Sequence, residues 1–369
     1  MTIHNADCLE VLAEMDAESV DAVITDPPYG IGFMGHEWDK PALDKRREER
    51  SERPQDGNRF IGHVPKSDNL QFQHWCQAWA TECLRVLKPG GYMAAFGATR
   101  LYHRLAVSIE DAGFDIRDSL AWLYGSGFPK SRNDGPRGTA LKPAWEPIVV
   151  AQKPKDGTYA NNYEQHGTGY LNIDDARVPL PDGDKDAGGR WPANVATDGS
   201  EAVVDALPYL RGPTNAESTD RKDYDGPSVG YNKKGTTSRH FIDEGSATRF
   251  FYTGKPSPSE KNAGLPAKMP HPTIKPIELM RWIIRLLAPS KGIVLDPFLG
   301  SGTTAIAAIL EGRQWIGVER EKEYVNIAET RIAWWSAQPR GRSVKKILSM
   351  YRKSSDKADG LFSKAGEVA

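Results

Sequence analysis

The stretch GIVLDPFLGSGTTAIAAILEGRQWIGVE, residues 292 to 319, decides the fold class of this 369-residue chain. A short apolar run, GIVLD, leads into a turn with two glycines, then an alanine-rich and isoleucine-rich segment, then a second apolar run, QWIGVE. This order predicts a strand, a helix and a second strand. Such a unit is the building block of α/β sheets whose strands run parallel.

The turn in this unit has the spacing of a nucleoside-binding loop. Gly300, Gly302 and Ala305 form the pattern G-x-G-x-x-A, and Glu319 ends the next strand 19 residues after Gly300. Glycines at this point let the backbone approach a ligand, and an acid at this distance binds ribose hydroxyls. The pattern alone also occurs in ordinary tight turns, so the surrounding strands and helix carry the prediction of a nucleoside site.

The remaining strands must come from earlier in the chain, because few residues follow Glu319. Apolar candidates are residues 20–25, 91–96, 116–124 and 146–152. One stretch with helical spacing lies between the first and second candidates, and another lies between the second and third. We therefore expect an α/β fold with a doubly wound, mostly parallel, Rossmann-like sheet. Its ligand-binding half comes last in the sequence, as in a circularly permuted chain.

A second motif, DPPYG at residues 26–30, follows the apolar run VDAVIT. Two adjacent prolines fix two φ angles at about −65° and remove two backbone donors, so the segment is stiff. Ligands of such sheets bind beyond the carboxyl ends of the strands, which places Asp26 and Gly300 at one edge. A proline turn that only ends a strand is the alternative interpretation. The sequence predicts that DPPY is a reaction site facing a nucleoside.

Composition narrows the class of protein. The net charge of −1 excludes a wholly basic nucleic-acid binder, so any such contact must come from local patches. Cys8, Cys76 and Cys83 lack C-x-x-C spacing, which predicts reduced thiols with neither a zinc site nor a disulfide. No apolar stretch approaches the roughly 18 residues of a membrane span, and no signal-peptide pattern begins the chain. We expect a cytoplasmic protein without membrane or metal.

Together these motifs resemble the β class of amino-directed DNA methyltransferases, which use S-adenosylmethionine and have a permuted motif order. The matching segments are DPPY at 26–29, DPFLGSGTT at 296–304, HPTIKP at 271–276, NADCLEVL at 5–12 and LKPGG at 87–91. Further strings, at 124–131, 142–154 and 190–194, are similar to the phage and prophage branch. The resemblance implies a site-specific enzyme that methylates adenine in double-stranded DNA after flipping the base out.

The resemblance also assigns roles to residues. It implies that the Asp26 carboxylate and the Pro27 carbonyl accept the two hydrogens of the target amine, with Pro28 adding stiffness and Tyr29 stacking on the base. In the implied S-adenosylmethionine site, Asp7 accepts from the adenine amine with Cys8 beside it, and Glu319 binds the ribose hydroxyls. Phe298, Gly300 and Gly302 shape the channel for the methionine portion, and Thr273 and Lys275 hold its carboxylate end. The full implied cofactor set is Asp7, Cys8, Asp26, His271, Thr273, Lys275, Asp296, Phe298, Gly300, Ser301, Gly302, Thr303 and Glu319. Asp7 could instead be only a helix cap, and Cys8, His271 and Thr273 could be packing or turn residues.

The resemblance divides the chain into a catalytic half (1–155, with a mobile loop at about 36–66), a target-recognition region (156–250), a cofactor half (251–335) and a basic tail (336–369). Candidate DNA contacts in the recognition region are Arg190, Arg221, Lys222, Lys233, Lys234 and Arg239. That region could also be a flexible insertion, and the tail a solvated helix face. We expect a homodimer, since relatives pair and apolar residues Met280, Trp282, Ile283, Trp334 and Trp335 could form the contact, although the same residues could equally be core.

Four other functions stay open. The nearest is methylation of the cytosine amino group, because Asp26 and the Pro27 carbonyl could hold the amine of either base. Relatives with Asp at the first motif position mostly modify adenine, and relatives with Ser there mostly modify cytosine, so Asp26 favours adenine. A nicotinamide-dependent dehydrogenase would share the glycine pattern but leaves DPPY unexplained. A non-catalytic DNA-binding protein would have no need of an intact Asp26 and Glu319. A protein glutamine methyltransferase would share the Pro-Pro-Tyr motif, but in the reverse motif order.

Overall fold

The computed structural model describes residues 1–30, 67–127, 134–179, 188–210, 245–254, 258–266 and 274–351. The predicted mobile loop at 36–66 lies outside these residues, as do residues 180–187 and 211–244 of the predicted recognition region. Among the described residues, no helix is both long and apolar enough to cross a membrane.

A nine-stranded sheet organises the described part of the chain, in the order β1-β11-β10-β2-β3-β5-β4-β6-β9. Its strands are β1 (Thr2–His4), β2 (Val20–Thr25), β3 (Leu87–Phe96), β4 (Asp115–Leu123), β5 (Trp145–Gln152), β6 (Val195–Thr197), β9 (Tyr252–Thr253), β10 (Ile293–Asp296) and β11 (Gln314–Val318). Only β5 runs antiparallel to its neighbours in this sheet, so the predicted mostly parallel α/β fold is confirmed. A separate two-stranded antiparallel sheet pairs β7 (Tyr209–Leu210) with β8 (Gly245–Ser246).

Helices cover both faces of the sheet. They are α1 (Cys8–Glu14), α2 (Ser67–Val86), α3 (Tyr102–Asp111), α4 (Tyr159–His166), α5 (Glu201–Ala206), α6 (Pro258–Asn262), α7 (Ile277–Leu287), α8 (Thr303–Leu310) and α9 (Lys322–Ser336). Short 3₁₀ turns occupy Asp174–Ala176 and Ala247–Phe250.

The alternation of β3 shows how two cores form on one sheet. Ala94 and Phe96 join the cluster beneath α7, α8 and α9, whereas Met93 and Ala95 join the cluster beneath α1, α2 and α3. Successive side chains of a strand point to opposite faces, so a strand covered on both faces is apolar throughout. The all-buried pattern of β2 has the same cause.

The C-terminal strands β10 and β11 lie between β1 and β2, which come from the start of the chain. β10 pairs with β11 on one side and with β2 on the other, where Val294 lies opposite Ala22 and Leu295 opposite Val23. Because β2 and β10 run parallel and in register, the chain leaves both at the same edge. DPPY and the glycine loop therefore lie together, as the sequence predicts.

Three features differ from the sequence-based expectation. β1, β6 and β9 have two or three residues each, too few to give an apolar pattern. β6, from the predicted recognition region, and β9, two residues beyond its predicted end, extend the sheet past β4. Met280, Trp282, Ile283 and Trp335 are buried within the chain, so they form core and cannot supply the proposed dimer contact. Residues 344–351 of the predicted basic tail are helical, and Val344, Ile347 and Leu348 pack into the main core.

Candidate active site

A cavity opens at the edge where β1, β2, β10 and β11 end. Segments that follow these four strands line it, together with Trp75 of α2 and Lys275 just before α7. The predicted site residues that line the cavity are Asp7, Cys8, Asp26, Pro27, Pro28, Tyr29, Lys275, Asp296, Phe298, Gly300, Ser301, Thr303 and Glu319. His271 and Thr273 lie outside the described residues.

Asp7 and Cys8 begin α1 at one end of the cavity. Asp7 is the N-cap of α1, and its Oδ1 accepts a hydrogen bond of 2.9 Å from the Leu9 N–H. Asp7 is thus a helix cap, and its carboxylate also lies at the cavity wall. The pKa of the Cys8 thiol is raised to about 12, mainly by burial and to a smaller extent by the negative charge of Asp7. The thiol therefore stays protonated and unreactive at neutral pH.

Gly300 and Gly302 of the loop have different surroundings. Gly300 has φ +53°, and a Cβ there would meet only the Phe298 carbonyl oxygen, at 4.0 Å, so open space adjoins it. Gly302 has φ +82°, and a Cβ there would lie 3.1 Å from side-chain atoms of Ala328 and Ile332 on α9. The structure therefore gives Gly302 a packing role outside the cavity lining, where the sequence suggested a cavity-shaping one.

A buried arginine supports the same loop from below. Arg331 of α9 donates to the Ser301 carbonyl at 2.6 Å, to the Ser301 Oγ at 2.9 Å and to the Thr303 Oγ1 at 3.2 Å. Arg331 is fully buried, so these contacts fix the loop between β10 and α8.

Glu319 is held by backbone donors on both of its oxygens. Oε2 accepts from the Gly300 N–H at 2.8 Å, and Oε1 accepts from the Glu321 N–H at 2.8 Å. Burial raises the pKa of Glu319, and the two backbone hydrogen bonds oppose that rise. Each carboxylate oxygen has two lone pairs, so one on each oxygen is left for a ligand.

Asp296 connects the two strands that end at this edge. Its Oδ1 accepts from the Thr25 Oγ1 at 2.7 Å and from the Phe298 N–H at 3.0 Å. Burial raises the pKa of Asp296 to about 6. The ring of Phe298 packs at 5.4 Å from that of Trp75 and 5.5 Å from that of Trp79, between centroids, which builds an aromatic wall.

A compact polar cluster surrounds the carboxylate of Asp26. The Lys275 Nζ lies 2.8 Å from Asp26 Oδ2, and the Tyr29 hydroxyl donates to Asp26 Oδ1 at 2.9 Å. Glu146, at the start of β5, completes the cluster: its Oε2 lies 3.1 Å from the Lys275 Nζ and 3.2 Å from the Tyr29 hydroxyl. Burial and the nearby carboxylates raise the pKa of Tyr29 well above its usual value, so the hydroxyl keeps its proton.

Two features of this cluster escaped sequence reasoning. Glu146 was not predicted, although it stands in the string KPAWEPIVVAQKP as an acid directly before a buried strand segment. Lys275 was predicted to face the carboxylate end of the cofactor, but the structure places it on Asp26 and Glu146. Burial lowers the pKa of Lys275, but the charges of Asp26 and Glu146 outweigh burial and raise it above its usual value.

Of the predicted DNA contacts, only Arg190 lies within the described residues. Its Nη1 donates to the Arg249 carbonyl at 3.1 Å, and its guanidinium lies 5.1 Å from the centroid of the Phe250 ring. Arg190 is thus tied into the turn that precedes β9. Arg221, Lys222, Lys233, Lys234 and Arg239 lie outside the described residues.

The chain is similar to known proteins in sequence and in structure. Type II methyltransferase M.HindIII of Haemophilus influenzae is 26% identical over 367 residues, which cover 89% of this chain and 94% of that protein. The solved structure of TTHA0409 from Thermus thermophilus, complexed with S-adenosyl-L-methionine, has a TM-score of 0.46, 20% identity and coverage of 91% and 95% of the two chains. PvuII DNA methyltransferase, described as cytosine-N4-specific, has a TM-score of 0.49, 18% identity and coverage of 95% and 91%.

A family model described as DNA methylase (N6_N4_Mtase) matches residues 20–330, a range that runs from the start of β2 through DPPY, the glycine loop and Glu319. The chain therefore belongs to this DNA methylase family.

Proposed function

We propose that this DNA methyltransferase transfers a methyl group from S-adenosylmethionine to the exocyclic amino nitrogen of adenine in duplex DNA. The observation that carries the proposal is the position of Asp26. Its carboxylate lies on a stiff Pro-Pro segment, is held by a donor on each oxygen, and faces the same cavity as Glu319 and Gly300.

The charges of the cavity suit this cofactor. Among the described residues, the lining includes five carboxylates, Asp7, Asp26, Asp296, Glu319 and Glu321, and two cations, Lys275 and Arg320. S-adenosylmethionine carries a sulfonium, an ammonium and a carboxylate, so it is net positive and an acidic cavity attracts it. A nicotinamide dinucleotide carries a pyrophosphate, which the same cavity repels, so the charge pattern favours the methyl donor over the dehydrogenase alternative.

We assign cofactor contacts on the donors and acceptors present. Glu319 would accept from the ribose hydroxyls through its remaining lone pairs, and Asp7 would accept from the adenine amine. Phe298 and Gly300 would bound the methionine portion, Phe298 with an aromatic face and Gly300 with open space. S-adenosylmethionine supplies a methyl group on a positively charged sulfur, which becomes a neutral thioether when the carbon–sulfur bond breaks and the carbon–nitrogen bond forms.

The chain itself prepares the nitrogen. An exocyclic amine is a weak nucleophile because its lone pair is delocalised into the ring. Acceptors fixed on both amine hydrogens, the Asp26 carboxylate and the Pro27 carbonyl, hold the nitrogen so that its lone pair points at the methyl carbon. The nitrogen gains a positive charge as the new bond forms, and the proton it must lose passes to the Asp26 carboxylate that already accepts it.

We choose adenine over cytosine as the substrate because the first residue of the DPPY motif, Asp26, is a carboxylate. A carboxylate accepts a charge-assisted hydrogen bond, which suits the positive charge that develops on nitrogen. The association of Asp at this position with adenine in the family points the same way. Cytosine methylation is the second candidate, since its amine could be held by the same two acceptors.

We propose further that the target base leaves the duplex and that the segment between residues 156 and 250 contacts DNA, with its basic residues on phosphates. The protein would then act in the cytoplasm of a bacterium or on phage DNA. The proposed homodimer rests on analogy with relatives, because four of the five apolar residues first suggested for the contact are buried core and the fifth, Trp334, is partly buried against that core.

The test is methylation of unmodified DNA by the purified chain, followed by digestion to nucleosides and mass analysis. Methylated adenine at its amino nitrogen is the expected product. Methylated cytosine alone would overturn the choice of base, and no methylated nucleoside from any of several genomic DNAs would overturn the activity. Long-read modification sequencing of DNA from cells that express the chain then gives the recognition site.

A further inference from the structure

The Asp26 carboxylate is bonded directly to a buried cation. Lys275 is only 6% exposed, and its three N–H donors meet three acceptors: Asp26 Oδ2 at 2.8 Å, Tyr29 Oη at 3.0 Å and Glu146 Oε2 at 3.1 Å. The ammonium also lies 5.0 Å from the centroid of the Phe96 ring and 5.4 Å from that of Tyr29. The lysine is thus enclosed by its partners and cannot turn away from Asp26 without leaving them.

This contact raises an electrostatic difficulty for methyl transfer. The reaction creates positive charge on the amine nitrogen, and a negative site stabilises that charge. A lysine paired with Asp26 alone would make a neutral pair and cancel most of the benefit. Glu146 removes the difficulty, because Asp26, Glu146 and Lys275 together carry one net negative charge.

We propose that Lys275 and Glu146 are positioning residues for Asp26: Lys275 fixes the orientation of its carboxylate, and Glu146 supplies the negative charge that Lys275 would otherwise cancel. This inference rests on the proposed methyl transfer to an amine.

The hydrogen-bond pattern supports a positioning role. Tyr29 holds Asp26 Oδ1 and Lys275 holds Asp26 Oδ2, so neither oxygen is free to rotate, and each keeps a lone pair for the substrate amine. Glu146 is anchored on β5, a strand paired on both sides, with Glu146 opposite Trp122 of β4. The charge that balances the lysine is therefore fixed by the sheet itself.

A purely structural ion pair makes a different prediction from a charge-balancing one. The experiment uses the full-length chain with Glu146→Gln, Lys275→Met and the double variant. The measured quantities are kcat, KM for DNA and KM for S-adenosylmethionine. Each kcat is divided by the concentration of S-adenosylmethionine sites found by calorimetry, so that a misfolded fraction of the protein does not lower the kcat value.

We expect Glu146→Gln to lower kcat roughly tenfold to a hundredfold while both KM values stay within about threefold, since the loss falls on the charged transition state. Lys275→Met leaves two carboxylates beside Tyr29 with no cation, so they share one proton. That proton occupies an acceptor that the substrate amine needs on Asp26, and kcat falls as well. In the double variant Asp26 is the one ionised group of the cluster and shares no proton, so its kcat should exceed that of either single variant. Such a rescue is the signature of charge balance.

Glu311→Gln is the matched control. Glu311 is also a partly buried carboxylate held by cations, with its Oε1 2.6 Å from Arg281 Nε and 2.8 Å from Arg285 Nη1, but it lies away from the cavity. It should lower thermal stability and leave kcat per site unchanged.

Two results would overturn the inference while the wild type methylates DNA: unchanged kcat in Glu146→Gln, or a double variant no faster than the faster of the two single variants. A wild-type chain that binds no S-adenosylmethionine and methylates no DNA would refute the proposed function, and this inference with it. If Glu146→Gln fails to bind S-adenosylmethionine, Glu146→Asp takes its place, because it keeps the negative charge. A kcat retained in Glu146→Asp and lowered in Lys275→Met supports the inference. Equal kcat values in Glu146→Asp and Lys275→Met overturn it.

Discussion

The backbone N–H of Gly300 donates a 2.8 Å hydrogen bond to Oε2 of Glu319, across 19 positions of sequence. The glycine loop after β10 and the acid after β11 are thus one mechanical unit, since a shift of either moves the other. The second oxygen of Glu319 holds the Glu321 N–H, so the same carboxylate also sets the turn that leads into α9.

Replacing Glu319 should therefore affect both binding and structure. We expect Glu319→Ala to weaken S-adenosylmethionine binding by at least tenfold, because hydrogen bonds to a charged group contribute about 1.5 to 3 kcal/mol each. We also expect a lower melting temperature without ligand, because two backbone N–H groups lose their acceptor. Glu319→Gln, which keeps one carbonyl acceptor, should fall between wild type and Ala. Calorimetry and thermal melts measure the two effects, and unchanged affinity in Glu319→Ala would refute the ribose role.

Alanine at the two loop glycines should separate binding from packing. Gly302→Ala places a Cβ 3.1 Å from Ala328 and Ile332 at φ +82°, so we expect a loss of stability of about 2 kcal/mol or more. Gly300→Ala has open space and should cost only about 1 kcal/mol for its φ of +53°. Its methyl group would occupy the cavity, so the expected loss is in affinity for S-adenosylmethionine. Chemical denaturation and calorimetry on both variants test this, and equal stability losses would contradict it.

These local features were predictable because short sequence patterns encode them. The strand, glycine turn, helix and following acid of 292–319 lie within one continuous segment, and apolar runs marked β2 to β5 with boundary errors of a few residues. The cluster around Asp26 was not predictable in the same way. Lys275, Glu146 and Tyr29 come from three distant segments, 117 to 246 positions apart from Tyr29, and only the sheet order brings them together. The sequence could not show whether Trp282 and Trp335 are buried in the core or in an interface, because an apolar side chain is compatible with either position.

Asp26→Ala should abolish methyl transfer without loss of the fold. Removing this carboxylate leaves Lys275 paired with Glu146 at 3.1 Å, a neutral pair, so no uncompensated charge is buried. We expect kcat to fall by at least a thousandfold and S-adenosylmethionine affinity to change by no more than a few fold, because the carboxylate acts on the base. Single-turnover assays and calorimetry measure these values. Full activity in this variant would refute the assigned role of Asp26.

Asp296 should give the unfolding free energy a pH dependence of known sign. Its pKa is raised from 3.8 to about 6 in the folded state by burial, so the folded chain binds more protons than the unfolded chain between these values. Stability from this group is present below about pH 4 and is lost as the pH rises to about 6, by up to about 3 kcal/mol. Asp296→Asn removes the titration. The free energy of unfolding of the wild type minus that of the variant should therefore decrease from about pH 4 to about pH 6.5, and a flat or rising difference would contradict the assignment.

Tyr29 offers a test that separates its ring from its hydroxyl. The ring is proposed to stack on the flipped base, whereas the hydroxyl donates to Asp26 Oδ1 at 2.9 Å and lies 3.2 Å from Glu146 Oε2. Tyr29→Phe keeps the stacking surface and frees one oxygen of Asp26, so kcat should fall roughly tenfold with DNA affinity unchanged.

Tyr29→Ala removes the ring as well, so it should also weaken binding of cognate DNA, by about 1 to 3 kcal/mol for the lost base stacking. Fluorescence anisotropy measures the affinity, and 2-aminopurine at the target position reports the flipped base. S-adenosylmethionine affinity, measured by calorimetry, serves as the control and should change little in either variant. If Tyr29→Phe and Tyr29→Ala lose the same DNA affinity, the ring does not stack on the base; if neither changes kcat, the hydroxyl does not hold Asp26 in its reactive orientation.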